Sequence, residues 1–186
     1  NYDFIGLGGL AYPGDKEQKT KWIENCFKII SNSNRFPTKK LHGFGVTLWK
    51  LLIDFPWFSV DSTSWIQLGA YGVILIPHKR HGKFTFSLDP IRLSVSLDRP
   101  RENGFLHYMS LSKSEQRIVR EWLDIIGMEY GELAADKRTP IKLGVICNSG
   151  QRKKANVLTF QKMADSLPEW PWPMKQTKDK PRLGVL

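Results

Sequence analysis

The sequence predicts an α/β fold: a partial (β/α) TIM-type barrel made of three strand-helix units, followed by a C-terminal α+β extension. Between residues 2 and 68, short apolar runs alternate three times with segments of helical periodicity. Such alternation implies parallel strands joined by right-handed crossovers. A closed barrel of eight units typically needs about 250 residues. The three units of this chain therefore form only part of a barrel.

Each unit pairs one apolar strand with one amphipathic helix. The predicted strands cover residues 2–7, 40–45 and 57–60, and the helices that follow them cover 15–30, 47–54 and a segment that begins at residue 64. The first strand stops at Gly8 and Gly9, and a polar segment ending at Pro37 breaks the first helix.

The alternation of strands and helices ends after residue 69. Two strands, 73–76 and 83–86, flank a polar turn at 77–82 that could also be a solvated loop. Ser112 and Glu115 form a capping box that opens a helix, and Gly127 ends it. A strand at 141–147 and a final helix follow. These changes predict three parts: the barrel units (1–76), the extension (77–168) and an irregular basic tail (169–186).

The amino-acid composition favours some classes of function and argues against others. The chain has 186 residues, and its 28 Lys and Arg exceed its 18 Asp and Glu, which gives a net charge of +10. A polyanion is the expected partner, although solubility alone would also account for this charge. Cys26 and Cys147 are far apart, which fits a reducing cytoplasm better than a disulfide scaffold or a zinc cluster. No apolar run approaches the roughly 18 residues that cross a bilayer, so no membrane association is expected.

One stretch places a carboxylate where a strand gives way to a helix. Asp61 follows the strand 57–60 and precedes Ser62, Thr63 and Ser64. In α/β proteins this junction is where ligands bind and where barrel enzymes keep their reactive groups. The alternative is that Asp61 only caps the next helix, as Asp residues commonly do.

Three motifs fall at the ends of the three predicted strands. They are Gly6-Leu-Gly-Gly-Leu-Ala11, Leu41-His-Gly-Phe-Gly45 and Val60-Asp-Ser-Thr-Ser-Trp65. In this order they resemble the C-terminal half of the barrel in the tRNA-guanine transglycosylase superfamily, the queuine and archaeosine tRNA-ribosyltransferase-like enzymes. Those enzymes exchange guanine for a 7-deazaguanine base, and the archaeal branch has Ser-x-Ser and an aromatic residue after its aspartate. The resemblance covers roughly residues 4–72.

The resemblance implies a role for five residues. Asp61 is the expected nucleophile, which attacks the anomeric carbon and forms a sugar-enzyme ester that the incoming base opens. Gly8, Gly9 and Leu10 are expected to bind the base, because glycine lets the backbone approach closely and the family uses the amide after this pair. His42 is expected to pack against the face of the base. An ordinary turn and a structural histidine are the alternatives, and Phe44 is expected in the core.

Two features depart from the family pattern. No Cys pair is present to form the family's zinc site, so neither a metal nor a cofactor is expected. The family's second aspartate, its general base, belongs to an N-terminal half that this chain lacks. The chain also opens without Met directly into a strand-like segment. We therefore expect it to be part of a longer gene product and to lack a complete site by itself.

The missing zinc site and the Asp-Ser-Thr-Ser-Trp signature look most like the divergent phage and bacterial branch that inserts 7-deazaguanines into DNA. DNA is therefore favoured over tRNA as the substrate, and the expected location is the cytoplasm of a bacterium or a phage-infected host. A base in a duplex would have to be flipped out of the stack before exchange. Expected contacts to the phosphate backbone, which equally fit a solvated face, are Lys79, Arg80, Arg99, Arg101, Arg152, Lys153 and Lys154.

Two other functions are compatible with these residues. A non-catalytic nucleic-acid-binding protein could keep the barrel remnant as a scaffold and bind through the basic C-terminal region. A glycosylase would use the same nucleophile if water, and not a base, opened the ester. The sequence does not reveal the part played by residues 112–186. Within the tail, Trp170 and Trp172 fit docking on the barrel or on a partner equally well.

Overall fold

The computed structural model describes residues 2–9, 15–46, 48–97 and 105–175, and within these ranges it is a mixed α/β structure. The chain forms two compact units. The first unit comprises residues 1–62 and 168–186, and the second comprises residues 63–167. In this division residues 63–76 group with the extension, and residues 168–186 group with the first strands.

The first unit contains three parallel strands joined by two helices. In chain order its elements are β1 (Phe4–Leu7), α1 (Lys16–Ile30), β2 (Lys40–Gly43), α2 (Trp49–Asp54) and β3 (Ser59–Val60). The sheet order is β1-β2-β3, with both neighbouring pairs parallel. The parallel pairing of the first three strands, predicted from their alternation with helices, is confirmed. Among the described residues no sheet closes into a barrel.

Helices α1 and α2 bury apolar side chains in the core of the first unit. Asp15 caps α1 by accepting a hydrogen bond from the amide of Glu17. Phe27, which is fully buried, stacks on Phe55 at 5.4 Å and meets Trp57 edge-on at 5.1 Å between ring centroids. Burying a side chain of this size stabilises a fold by about 2–3 kcal/mol. This aromatic cluster holds the segment before β3 in place.

One face of the sheet is partly open and aromatic. The ring of Phe4 lies 6.4 Å from that of His42 and 5.8 Å from that of Phe58, so the three rings share one face. Phe4 is 52% exposed and Phe58 43%. The ammonium group of Lys40 lies 4.8 Å from the centre of the Phe58 ring. This face offers flat apolar surface with a cation beside it.

Residues 168–175 pack on the first unit as an irregular segment. Trp170 donates its indole N–H to the carbonyl of Pro56 and meets the Phe58 ring edge-on at 5.3 Å. Trp172 and Met174 are buried, and the amide of Met174 donates to the carbonyl of Arg35. The alternative left open by the sequence is thereby resolved, because these aromatic residues dock on the strand-helix unit.

The second unit is built around a short mixed sheet. Its elements are α3 (Ser64–Ala70), β4 (Val73–Ile76), β5 (His78–Arg80), β6 (Lys83–Thr85), β7 (Ile91–Ser94), β8 (Leu106–His107), a 3₁₀ turn (Tyr108–Ser110), α4 (Lys113–Ile125), β9 (Glu132–Leu133), β10 (Pro140–Lys142) and α5 (Ser149–Asp165). The central sheet has the order β4-β7-β8, with β4 and β7 antiparallel and β7 and β8 parallel. Strands β5–β6 and β9–β10 form two separate antiparallel pairs.

Helix α4 supplies much of the core of this unit. The predicted capping box is confirmed: Ser112 accepts from the amide of Glu115, and the Glu115 carboxylate accepts from the amide of Ser112. Val119, Trp122 and Leu123 are buried in the core. The strand expected at 141–147 is shorter than predicted, since only β10 has strand pairing there.

Helix α5 completes the open edge of the central sheet through one amide side chain. Asn156 is fully buried; its Oδ1 accepts from the amide of Leu75, and its Nδ2 donates to the carbonyl of Val73. These two backbone groups lie on the edge of β4 that faces away from β7. Asn156 therefore satisfies them as a neighbouring strand would, and an unpaired edge is avoided.

Candidate active site at the carboxyl ends of the parallel strands

The three sequence motifs meet at one edge of the parallel sheet. In the register of the strands, Leu7 lies beside Gly43, and Gly43 lies beside Val60. The residues that directly follow these three therefore emerge from the same end of the sheet. That end is the carboxyl end of parallel strands, where α/β proteins place ligands. The structure thus brings together the glycine turn after β1, the turn after β2 and Asp61.

Asp61 is held by the turn after β2. Its Oδ1 accepts a hydrogen bond from the amide of Gly45 at 2.5 Å, and its own amide donates to the carbonyl of Gly43. Gly45 has φ of +66°, a conformation that favours glycine. The Asp61 side chain is 57% exposed, so Oδ2 can reach an external group. The carboxylate is fixed through one oxygen and accessible through the other.

The interpretation of Asp61 as a helix cap is wrong. The N-cap of α3 is Thr63, and it makes no side-chain capping hydrogen bond. The carboxylate of Asp61 accepts instead from a backbone amide sixteen residues earlier. A contact of this kind positions the carboxylate without serving the helix.

The glycine turn after β1 leaves room for a flat ligand. Gly9 has φ of +79°, so a side chain there would strain the backbone. At Gly8 an added β-carbon would meet no heavy atom of the described residues within 4 Å. Both residues are exposed. Leu10, whose amide was expected to bind the base, lies outside the described residues.

His42 lies between two polar partners at this end of the sheet. Its Nδ1 is 2.8 Å from the hydroxyl of Ser59, and its Nε2 is 3.7 Å from Oδ2 of Asp61. The side chain is 19% exposed. A ring with so little free surface is a poor platform for a base, which weakens the role expected from the resemblance.

Phe44 offers the free aromatic surface that His42 lacks. It is 51% exposed and meets His42 edge-on, with 4.5 Å between ring centroids. A β-carbon added to Gly6 would lie 2.6 Å from Cε2 of Phe44, so the glycine makes room for this ring. The expectation that Phe44 belongs to the core is wrong, because the turn after β2 carries it to the rim of the site.

Sequence reasoning missed Ser59 as well as Phe44. Ser59 stands two residues before Asp61, and a period of two places both side chains on the same face of a strand. This spacing, next to the neighbouring His42, was the signal available in the sequence. The hydroxyl of Ser59 is half-buried and is committed to the imidazole.

The predicted phosphate contacts in the hairpin β5–β6 fall into two groups. Lys79 forms an ion pair with Glu121 at 2.5 Å and lies 5.5 Å from the centre of the Phe84 ring, so it is not available to a phosphate. Arg80 is exposed at the tip, beside the exposed His81 and Lys83. His81 and Gly82 both have positive φ, +48° and +76°, as a two-residue type I′ turn requires. The polar turn predicted at 77–82 is therefore the tip of a basic hairpin.

The run Arg152-Lys153-Lys154 does not form one basic face. Arg152 is buried, and its guanidinium donates to the carbonyls of Gly69 and Val145. Lys153 is half-buried with its stem against Gly69, and only Lys154 is exposed. Successive residues of a helix point about 100° apart, so adjacent cations cannot share one surface. The expectation for Arg152 is therefore wrong, whereas Arg99 and Arg101 lie outside the described residues.

One more cation near the sheet is already paired. Lys39 lies at the start of β2 and contacts Asp3 at 2.9 Å. The hydrogen bond and the charge of Lys39 lower the pKa of Asp3. This pair lies at the amino end of the strands, away from the candidate site.

The second unit has an open cleft of about 980 Å³ that contains none of the predicted site residues. Its lining includes Met109, Tyr130, Glu132 and Leu133. Burial raises the pKa of Tyr130, so its phenol stays neutral. Its polar side chains include Glu132, which is exposed, and His107, which is half-buried and lies 3.2 Å from the carbonyl oxygen of Ser96.

The described residues contain no group of three His, Cys, Asp or Glu side chains that could hold a metal ion. Within the same ranges, every helix is too short or too polar to span a bilayer.

In comparisons with known proteins, no family model, no curated protein and no solved structure matches this chain significantly.

Proposed function

We propose that this protein is a pentosyltransferase that exchanges guanine in nucleic acid for a 7-deazaguanine base through a covalent Asp61-sugar intermediate. The observation that carries the proposal is the position of Asp61, whose carboxylate projects from the carboxyl end of three parallel strands with one oxygen fixed and one accessible. A carboxylate that attacks an anomeric carbon needs both properties, a fixed direction and a free lone pair.

The surroundings of Asp61 suit a purine. The turn at Gly8 and Gly9 is open, and Phe44 presents an exposed ring on the neighbouring turn. Flat bases bind proteins by stacking on aromatic side chains and by hydrogen bonds from backbone groups. The three strand-helix units are, in this proposal, the C-terminal units of a (β/α) barrel of the tRNA-guanine transglycosylase type. DNA is the favoured polymer because the sequence lacks the zinc ligands of the tRNA enzymes.

A base-exchange assay with the protein expressed from its complete gene tests this function. Labelled guanine and a labelled 7-deazaguanine base are offered separately with duplex DNA and with tRNA. Guanine is included because the departing base can also reopen the ester, by reversal of the first step. We expect label to enter DNA and not tRNA. A duplex of only A·T pairs is the matched control and takes up nothing. No label in either polymer, while the protein still binds both, would overturn the proposal.

The turn after β1 allows a sharper test of base binding. Gly8→Ala adds a β-carbon that meets no heavy atom of the described residues within 4 Å, so the melting temperature is expected to stay within about 2 °C of the wild type. If a base lies against this turn, the same methyl group obstructs it, and we expect the KM for the incoming base to rise about tenfold, which is 1.4 kcal/mol of binding. An unchanged KM would show that the base binds elsewhere.

A second candidate function is nucleic-acid binding without catalysis. It is favoured by the exposed cations at the tip of the hairpin β5–β6, Arg80 and Lys83 with His81 between them. A two-stranded β-ribbon fits the major groove of DNA. Both candidates therefore predict that this hairpin contacts the polymer, and only the exchange assay separates them.

Removing one hairpin charge should weaken DNA binding in a salt-dependent way. Arg80→Ala is expected to lower the slope of log K against log salt by about 1, as the loss of one phosphate contact does. Lys21→Ala, which removes an exposed charge of α1 that is paired with Glu17, is the control and should leave the slope unchanged. Fluorescence anisotropy of a labelled duplex over a salt series measures both. If both variants lowered the slope equally, DNA binding would depend on the net charge of the protein and not on a contact of Arg80.

A further inference from the structure

The imidazole of His42 joins a serine hydroxyl to the candidate nucleophile. Ser59 Oγ lies 2.8 Å from Nδ1, and Asp61 Oδ2 lies 3.7 Å from Nε2. The second distance is too long for a hydrogen bond, although the two groups are close enough to attract each other when the ring is charged. His42 is 19% exposed and Asp61 is 57% exposed, so water and salt partly screen this attraction.

These contacts assign the proton positions on the ring. A carboxylate oxygen only accepts hydrogen bonds, so the nitrogen facing Asp61 is the favoured place for a proton. In the neutral ring Nδ1 then accepts, and the Ser59 hydroxyl donates to it. When the ring becomes charged, Nδ1 carries a proton, and the same hydroxyl can rotate and accept it. Ser59 therefore supports both charge states of His42, as a group that gives and takes a proton requires.

We propose that His42 is the general acid and base of the exchange reaction and that Ser59 is its positioning residue. This inference rests on the proposed function, because it needs Asp61 to form the ester. It differs from what the resemblance implies, in which this position only packs against the base and an aspartate of the N-terminal half is the general base. The limited exposure of His42 and the greater exposure of Phe44 assign packing to the phenylalanine.

The proton moves through one closed cycle. In the first step Asp61 Oδ2 forms a bond to the anomeric carbon, and the bond from that carbon to the purine nitrogen breaks. The electron pair leaves with the purine, which takes a proton from Nε2 of charged His42. In the second step the N–H of the incoming base gives its proton to neutral His42, its nitrogen binds the carbon, and the ester electrons return to Asp61. No other reactant is needed.

Two variants of His42 separate acid-base chemistry from packing. His42→Phe keeps a flat ring, and His42→Gln keeps a hydrogen-bonding partner for Ser59, but neither can transfer the proton. We expect kcat in the exchange assay to fall about 10²–10⁴-fold in both variants, with KM for the polymer within threefold of the wild type. His42→Ala should regain activity when imidazole is added. A His42→Phe variant with more than a tenth of wild-type kcat would overturn the assignment.

Two variants of Ser59 test its positioning role. Ser59→Ala is expected to lower kcat about tenfold, the cost of about 1.4 kcal/mol for losing one positioning hydrogen bond. Ser59→Thr retains the hydroxyl and should restore most of this loss, which a merely structural role would not require. An equal loss of activity in both variants, with unchanged melting temperatures, would exclude the positioning role.

A spectroscopic measurement tests the arrangement without any reaction. Long-range ¹H–¹⁵N correlation spectra distinguish the two neutral tautomers of a histidine. We expect His42 to be protonated on Nε2 in the wild type and to lose this preference in Asp61→Asn. A neutral ring protonated on Nδ1 would refute the inference. If the tautomer is as expected but the wild type exchanges no base, the proposed function fails together with the catalytic role, whereas normal exchange by His42→Phe refutes only the role of His42.

Discussion

Asp61→Asn is expected to reduce base exchange by about 10³-fold or more, because an amide cannot replace a carboxylate as the nucleophile. Asparagine keeps the shape of the side chain and an oxygen that can accept from the amide of Gly45, so the turn after β2 should stay in place. The fold is expected to be retained, and binding of the polymer should stay within a few fold of the wild type.

The covalent intermediate gives this prediction a second measurement. When wild-type protein is incubated with DNA and no incoming base, a fraction of the protein should stay attached to the DNA after denaturation, and Asp61→Asn should give no such product. Asp3→Asn is the matched control, because it removes the same charge from an exposed position at the other end of β1. It should exchange base and form the adduct like the wild type. An active Asp61→Asn protein would remove Asp61 from the mechanism.

The largest expected effect on stability is at Asn156 in the second unit. Asn156→Ala would leave the amide of Leu75 and the carbonyl of Val73 buried without their partners. Each unsatisfied buried backbone group costs about 1–3 kcal/mol, so we expect a loss of about 3 kcal/mol in the free energy of unfolding. In a domain of this size that lowers the melting temperature by about 10 °C or more.

Two measurements check this result. Urea denaturation followed by circular dichroism gives the free energy of unfolding, and hydrogen exchange at the amide of Leu75 reports on the broken contact itself. Lys154→Ala, on the exposed side of α5, is the matched control and should change stability by less than about 0.5 kcal/mol. If Asn156→Ala is as stable as this control, the amide of Asn156 does not secure the edge of β4.

Arg152 was predicted to contact phosphate, but in the structure it is buried. In the sequence it stands with two lysines and has the appearance of a basic patch. In the structure its guanidinium donates to Gly69 and Val145, which lie on two other segments of the second unit. A charge pattern along the chain contains no information about which side chains a helix turns inward, since that depends on the elements packed against it.

The local structure of the first unit could be predicted from the sequence. The same holds for the position of its three motifs at the carboxyl ends of the strands. Alternating apolar runs and helical periodicity suffice to predict parallel strands, and parallel strands necessarily bring their carboxyl ends to one edge. The positions of Asp61, Gly8 and Gly9 at that edge follow from these local rules. The capping box at Ser112 and Glu115 is likewise a short-range pattern with a short-range cause.

Which side chains act together depends on contacts between residues far apart in the sequence. The contacts of His42 with Ser59 and Asp61 join residues seventeen or more positions apart, and they depend on the register between β2 and β3. Local propensity does not specify that register, because it is set by how the whole sheet packs on α1 and α2. The same reason explains the exposure of Phe44, the burial of Arg152 and the docking of Trp170 on Pro56. Each is a long-range contact, and its energy exists only once the fold has formed.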